Sequence, residues 1–164
     1  MAAKDKDLND LFLDTLKDIY FAEKQILKAL PKMAKAAEAE ELKEALENHR
    51  RETEGQVERL EKVFKEIDAA ARGEKCDAII GLIAEGENVI KKGEEPTVVD
   101  AGLIAAAQAV EHYEIARYGT LIAWAEQLDL SESAALLRET LEEEKAADKL
   151  LTEIAESEVN RQAA

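Results

Sequence analysis

The chain has 164 residues, a formal net charge of −15, 46% apolar but only 4% aromatic residues, seven glycines and two prolines. That length suits a single domain, residues 1–164, and so few breakpoints in an Ala/Leu/Glu/Lys-rich chain favour an all-α fold. The acidic balance argues against a nucleic-acid partner, which needs a basic surface, and no apolar run reaches the ~18 residues of a membrane span.

The opening stretch, "MAAKDKDLNDLF", lacks the apolar core of a secretory signal. Period-3.6 patterning then predicts a first helix from about Leu8 to Ala37, with Leu16, Ile19, Tyr20, Ile26, Leu27 and Leu30 in one stripe. Pro31 should kink it or end it early. A second helix is expected from about Glu41 to Ala70, with Leu42, Leu46, Leu60, Val63, Phe64 and Ile67 inward. Residues 71–97 form a long crossing that holds a short amphipathic helix around Asp77–Ile90, burying Ile79, Ile80, Leu82, Ile83 and Val89. The lone Cys76 supports no intrachain disulfide framework, which fits a reducing cytoplasm, and reads as a small buried residue.

After "EEPTV" a third helix, capped by Thr97 or Asp100, runs to about Leu128. The fourth starts at "SESA" with Ser131 as a single cap, ends near Val159 and is followed by a frayed tail. Short first and last connections make each flanking pair an antiparallel hairpin. A long crossing between two such hairpins is the connectivity of a ferritin-like antiparallel four-helix bundle.

Each helix sets acid where leucine is expected. The inward rows read Leu16–Ile19–Tyr20–Glu23–Ile26, Leu46–His49–Glu52–Gln56–Leu60, Ala107–Glu111–Glu114–Tyr118–Leu121 and Leu141–Glu144–Asp148–Leu151. Folding each hairpin about turns near residues 39 and 130 brings these groups to one height, within a few ångströms at ~1.5 Å rise per residue. Glu52 and Glu144 occupy equivalent places in the two hairpins, as do Gln56 and Asp148. No lysine or arginine lies on these rows to pair with the acids, and unpaired buried carboxylates cost several kcal/mol each. A pair of divalent cations would satisfy them, and such an oxygen-rich donor set suits hard ions such as iron or manganese. Tyr20, Tyr113 and Tyr118 lie where they can hydrogen-bond ligand carboxylates, whereas His112 sits a quarter-turn off the inward row. The competing reading is a non-enzymatic helical bundle that acts through association, its acid layer protonated.

The segments "LKDIYFAEKQILKALPKM", "HRRETEGQVERLEKVF", "EHYEIARYGTLIAWAEQL" and "LEEEKAADKLLTEIA" resemble the four helices of the YciE/YciF-like bacterial stress proteins, a branch of the ferritin-like superfamily. The resemblance implies a cytoplasmic homodimer with a dinuclear metal site, two iron ions per chain or manganese in their place. Glu52 and Glu144 would bridge, Glu23 and Glu114 would be terminal, and Glu111 and Asp148 would complete the shell. One departure stands out. Ferritin-like di-iron proteins carry Glu-x-x-His on two helices, but the positions three after Glu52 and Glu144 are Gly55 and Ala147. Terminal ligation then falls to Gln56 and Asp148, or to His49.

Overall fold

Asp7 starts the first helix: its carboxylate accepts from the Asp10 backbone N–H at 3.1 Å, and the Asp10 carboxylate accepts from the Asp7 N–H at 3.1 Å. The computed structural model describes residues 6–93 and 95–164, so the signal-sequence expectation for residues 1–5, and Glu94 of "EEPTV", lie outside it. Helices α1 (Leu8–Ala36), α2 (Glu40–Glu66), α3 (Asp77–Lys92), α4 (Pro96–Gln127) and α5 (Ser131–Ile154) follow one another, and no strand occurs among the described residues. A π-helical turn, Ala155–Val159, leads into the short α6 (Asn160–Ala163).

The four long helices pack in a closed cycle: α1 lies against α2 and α4, and α5 lies against α4 and α2. They enclose one core of Leu16, Ile19, Leu42, Leu60, Leu103, Leu121 and Leu137 with their neighbours. Residues 37–39 and 128–130 are the short turns, and Asp129 takes a left-handed conformation (φ 58°) in the second. Helix α4 is apolar on more than one side because α3 lies across it and α1. The approach is close: a Cβ on Gly102 would sit 2.6 Å from Val89 Cγ1. The crossing also presses on α1 at Gly73, where a Cβ would lie 2.9 Å from the Phe21 Cβ. Cys76 is buried as expected, and its Sγ accepts from the Ile79 N–H at 3.4 Å, capping α3.

Several local expectations are corrected. Pro31 does not end α1, which continues to Ala36; the ring is exposed, so water can replace the hydrogen bond it removes. Helix α2 stops at Glu66, not Ala70, since left-handed Asp68 (φ 52°) lets the Ala69 N–H reach the Phe64 carbonyl at 2.9 Å. Ile80 is exposed, one position round α3 from buried Ile79. Ser131 is the first residue of α5 and makes no capping hydrogen bond. The expected frayed tail after Val159 is instead helical, as α6, which with the π turn packs on α4 although none of its own residues is buried.

Asp100 caps a helix, but not its own. Buried within the first turns of α4, its carboxylate accepts from the backbone N–H groups of Glu38 and Ala39 at 2.8 Å each, at the N-terminus of α2. Ala39 offers α2 no side-chain cap, so Asp100 ties the two hairpins together at this end. Replacing it with alanine orphans two N–H groups and should cost about 2 kcal/mol, seen as a lower urea midpoint with an unchanged m-value. An unmoved midpoint would mean that water substitutes fully for the carboxylate.

Candidate metal centre

Helix α4 supplies the centre of the acid layer. Its row Ala107–Glu111–Glu114–Tyr118–Leu121 is buried throughout. Helix α1 contributes Glu23, α5 contributes Glu144 and α2 contributes His49, all buried. Each acid sits at a heptad-like step between leucines, isoleucines or alanines that pack normally, so the helices carry the carboxylates inward with them.

The groups converge. His49 Nε2 lies 3.2 Å from Glu111 Oε1 and 3.7 Å from Glu144 Oε2. One donor atom from each of His49, Glu111, Glu114 and Glu144 can be chosen so that all lie within 4.8 Å of one another. Glu23 joins from the α1 side, where the Tyr118 hydroxyl donates a short hydrogen bond to its Oε1. Few other partners exist. Glu23 Oε2, Glu111 Oε2, both oxygens of Glu114 and of Glu144, and both nitrogens of His49 are buried without a hydrogen bond of good geometry.

Burial raises every one of these acids, and their mutual repulsion adds to it. Glu23 is pushed up to about 8 by burial and the nearby Glu144, partly offset by the Tyr118 hydrogen bond. Glu111 reaches about 7, chiefly through burial, while Glu114 and Glu144 are held well above the usual carboxylate range by burial and neighbouring carboxylates. Burial alone would lower His49, but Glu52, Glu144 and Glu23 outweigh it and raise it.

Not all the expected residues enter the cluster. Glu52 is 47% exposed at the side chain, 3.6 Å from His49 Nδ1 on the outer side. The buried residue between His49 and Gln56 is Thr53, because the core row of α2 steps by four and then three from His49. Asp148 is half-buried on the flank, accepting from Gln108 Nε2 at 3.1 Å and pairing with exposed His112 Nε2 at 3.1 Å. The equivalence of Glu52 with Glu144 therefore does not extend to their environments. Gln56 is buried, but its Nε2 donates to Glu143 Oε2 at 3.0 Å, leaving its Oε1 without a partner. Of the tyrosines only Tyr118 holds a clustered acid; Tyr20 donates to Glu61 at 2.8 Å and Tyr113 to Asp18 at 2.9 Å.

Two residues beside the cluster fall outside the inward rows. Arg59 donates to Glu143 Oε2 at 2.9 Å and to Thr140 at 2.9 Å, and pairs with Glu139 at 3.0 Å. The Arg59–Glu143–Gln56 network thus sits at one edge of the acid layer but neutralises Glu143, not the clustered carboxylates. Its only sequence signal is an arginine one position before the core residue Leu60.

Residues 7–164 match a family model described as a domain of unknown function, DUF892. The chain is 50% identical over 159 residues to Protein YciF of Escherichia coli strain K12, covering 96% of each. Its structure superposes on the crystal structure of the E. coli stress protein YciF with a TM-score of 0.91, at 49% identity over 94% of this chain and 98% of that one. YcfI from Rhodopseudomonas palustris gives 0.89 at 47% identity, covering 93% and 97%. A Xanthomonas campestris protein gives 0.72 at 22% identity, covering 96% of this chain and all of that one, and so shares the fold.

The raised acids set a pH dependence. Their folded pKa values lie above the ordinary 4.5, so the folded chain keeps protons that the unfolded chain releases. This stabilisation is complete below about 4.5 and is lost as pH rises through about 7 and 8; raised His49 acts in the same direction. Metal-free protein should therefore melt at falling temperatures from pH 5 to 8.5. Glu114→Gln should raise the melting temperature at pH 8 by a few degrees by removing one of the repelling charges. A flat profile, or a less stable Glu114→Gln chain, would show that the carboxylates are already compensated.

Proposed function

The chain belongs to the DUF892 family, and on that footing we propose that it is a ferritin-like, metal-binding stress-response protein with a carboxylate-rich dinuclear site for iron or manganese. The reading extends to a ferritin-like four-helix bundle with one long crossover, a single domain over residues 1–164, a cytoplasmic location and a homodimer. The observation that carries it is the set of buried, unpartnered donor atoms on Glu23, His49, Glu111, Glu114 and Glu144.

The donors fit the ions. Four buried carboxylates carry −4 when ionised, two divalent cations carry +4, and a neutral imidazole completes a charge-balanced set. Hard first-row ions favour such oxygen ligands, whereas thiolate-preferring ions find no sulfur in this cluster. His49, Glu111, Glu114 and Glu144 would form the core of the site, with Glu23 as the ligand from α1. Glu52, at the rim, is within a side-chain rotation of His49, while Gln56 and Asp148 act from outside the donor set.

Iron held there would supply oxidation of Fe(II) by oxygen or peroxide. The chain's own groups do the rest. Tyr118 fixes Glu23 through its hydrogen bond, and the Arg59–Glu143–Gln56 network holds α2 against α5 beside the cluster. Glu23 and Glu111, raised to about 8 and about 7, release protons near neutral pH when a cation arrives.

After anaerobic loading with Fe(II) or Mn(II), elemental analysis should find about two ions per chain, and the Glu23→Ala/Glu114→Ala variant should retain less than half as much. Equal metal in the two proteins would defeat the assignment. Light scattering should give twice the chain mass; a shell of many chains would contradict the dimer.

A further inference from the structure

Gly55 and Ala147 stand where the Glu-x-x-His pattern would place histidines. Both line an open cleft of about 490 Å³ between α2 and α5. Its inner wall includes His49 and Glu111, both more than nine-tenths buried, whose nitrogens and Oε2 have no hydrogen-bond partner. Arg59 also lines it, bringing a guanidinium beside the acids, and Glu52 stands at its exposed rim. The other lining residues are alanines and leucines with Asn48, Arg51 and Glu143, the last already paired with Arg59. A Cβ on Gly55 would meet nothing within 4 Å, so the space that a side chain would fill here is open.

On the opposite side, His49 and Glu111 touch a second cavity among Ile26, Leu30, Ile83 and Ala107, of about 30 Å³ and apolar. That is room for about one water molecule. The α2/α5 cleft is the larger and more polar approach.

We propose that this cleft is a binding site for a small exogenous anion with an oxygen or nitrogen donor, of the size of peroxide or azide, which reaches a metal held by His49 and Glu111. The missing side chains at Gly55 and Ala147 make room for it, and these two positions decide which ligands enter. A larger side chain at either place would occupy that space. This inference rests on the metal reading above.

The test uses the full chain loaded with Co(II), whose visible spectrum reports its ligands, titrated with azide. Wild type should show a saturable spectral change. Gly55→Leu and Ala147→Leu, which fill the cleft without touching the donor residues, should bind the same amount of Co(II) and take up azide at least tenfold more weakly. Gly55→Ala, a small addition that favours the helix, should fall between them and so guards against a leucine variant that fails to fold. If wild type takes up Co(II) but its spectrum ignores azide, or all the variants bind azide as wild type does, the cleft assignment is overturned while the metal reading stands. A wild-type chain that takes up no Co(II) overturns both.

Discussion

Four carboxylates and an imidazole have left water near the middle of this protein without gaining adequate partners, and the rest of the structure is organised around that cost. Each buried polar group left unsatisfied costs ~1–3 kcal/mol even when neutral, and more when charged. A domain of this kind has a net stability of only ~5–15 kcal/mol. Four such acids at 0–2% exposure would consume much of that margin. Protons can relieve the repulsion, which is why Glu23 and Glu111 rise to about 8 and about 7, but they do not supply the missing hydrogen bonds. Divalent cations would meet both needs at once.

The surrounding architecture holds this layer in place. The cluster draws one residue or more from each of the four long helices, so its geometry depends on the closed cycle in which they pack. Asp100 locks the N-terminus of α2 to α4 at one end of the bundle. On the flanks, Arg59 with Glu143 joins α2 to α5, and Gln108 with Asp148 joins α4 to α5. Among the described residues, every buried side-chain polar atom without a hydrogen-bond partner belongs to the cluster except Gln56 Oε1 beside it. That contrast separates a donor set from an ordinary buried network.

Much of this was legible from residue spacing. Glu111, Glu114 and Tyr118 lie on a row of α4 so apolar that nothing else could face inward, and Glu23 is flanked by core residues on both sides. Helix α2 was harder. It carries charges nearly all round, so patterning does not distinguish a step of three from a step of four after His49; the expected row took Glu52, and the structure buries Thr53. Asp148 left the cluster for a similar reason: Gln108 and His112, on a different face of α4, offer it partners that a single-helix pattern does not reveal. Asp100 read as a local cap, since its true partners lie about sixty residues away in sequence and were brought near only by packing. Patterning placed residues on helix faces; contacts between helices decided their partners.

We propose that cations, not protons alone, complete the acid layer. Anomalous diffraction from crystals equilibrated with Mn(II) at neutral pH tests it most directly, because it locates the ions without reference to activity. Strong peaks enclosed by Glu23, His49, Glu111, Glu114 and Glu144 are expected. Manganese found only at surface carboxylates, with no peak in this cluster, would contradict the proposal.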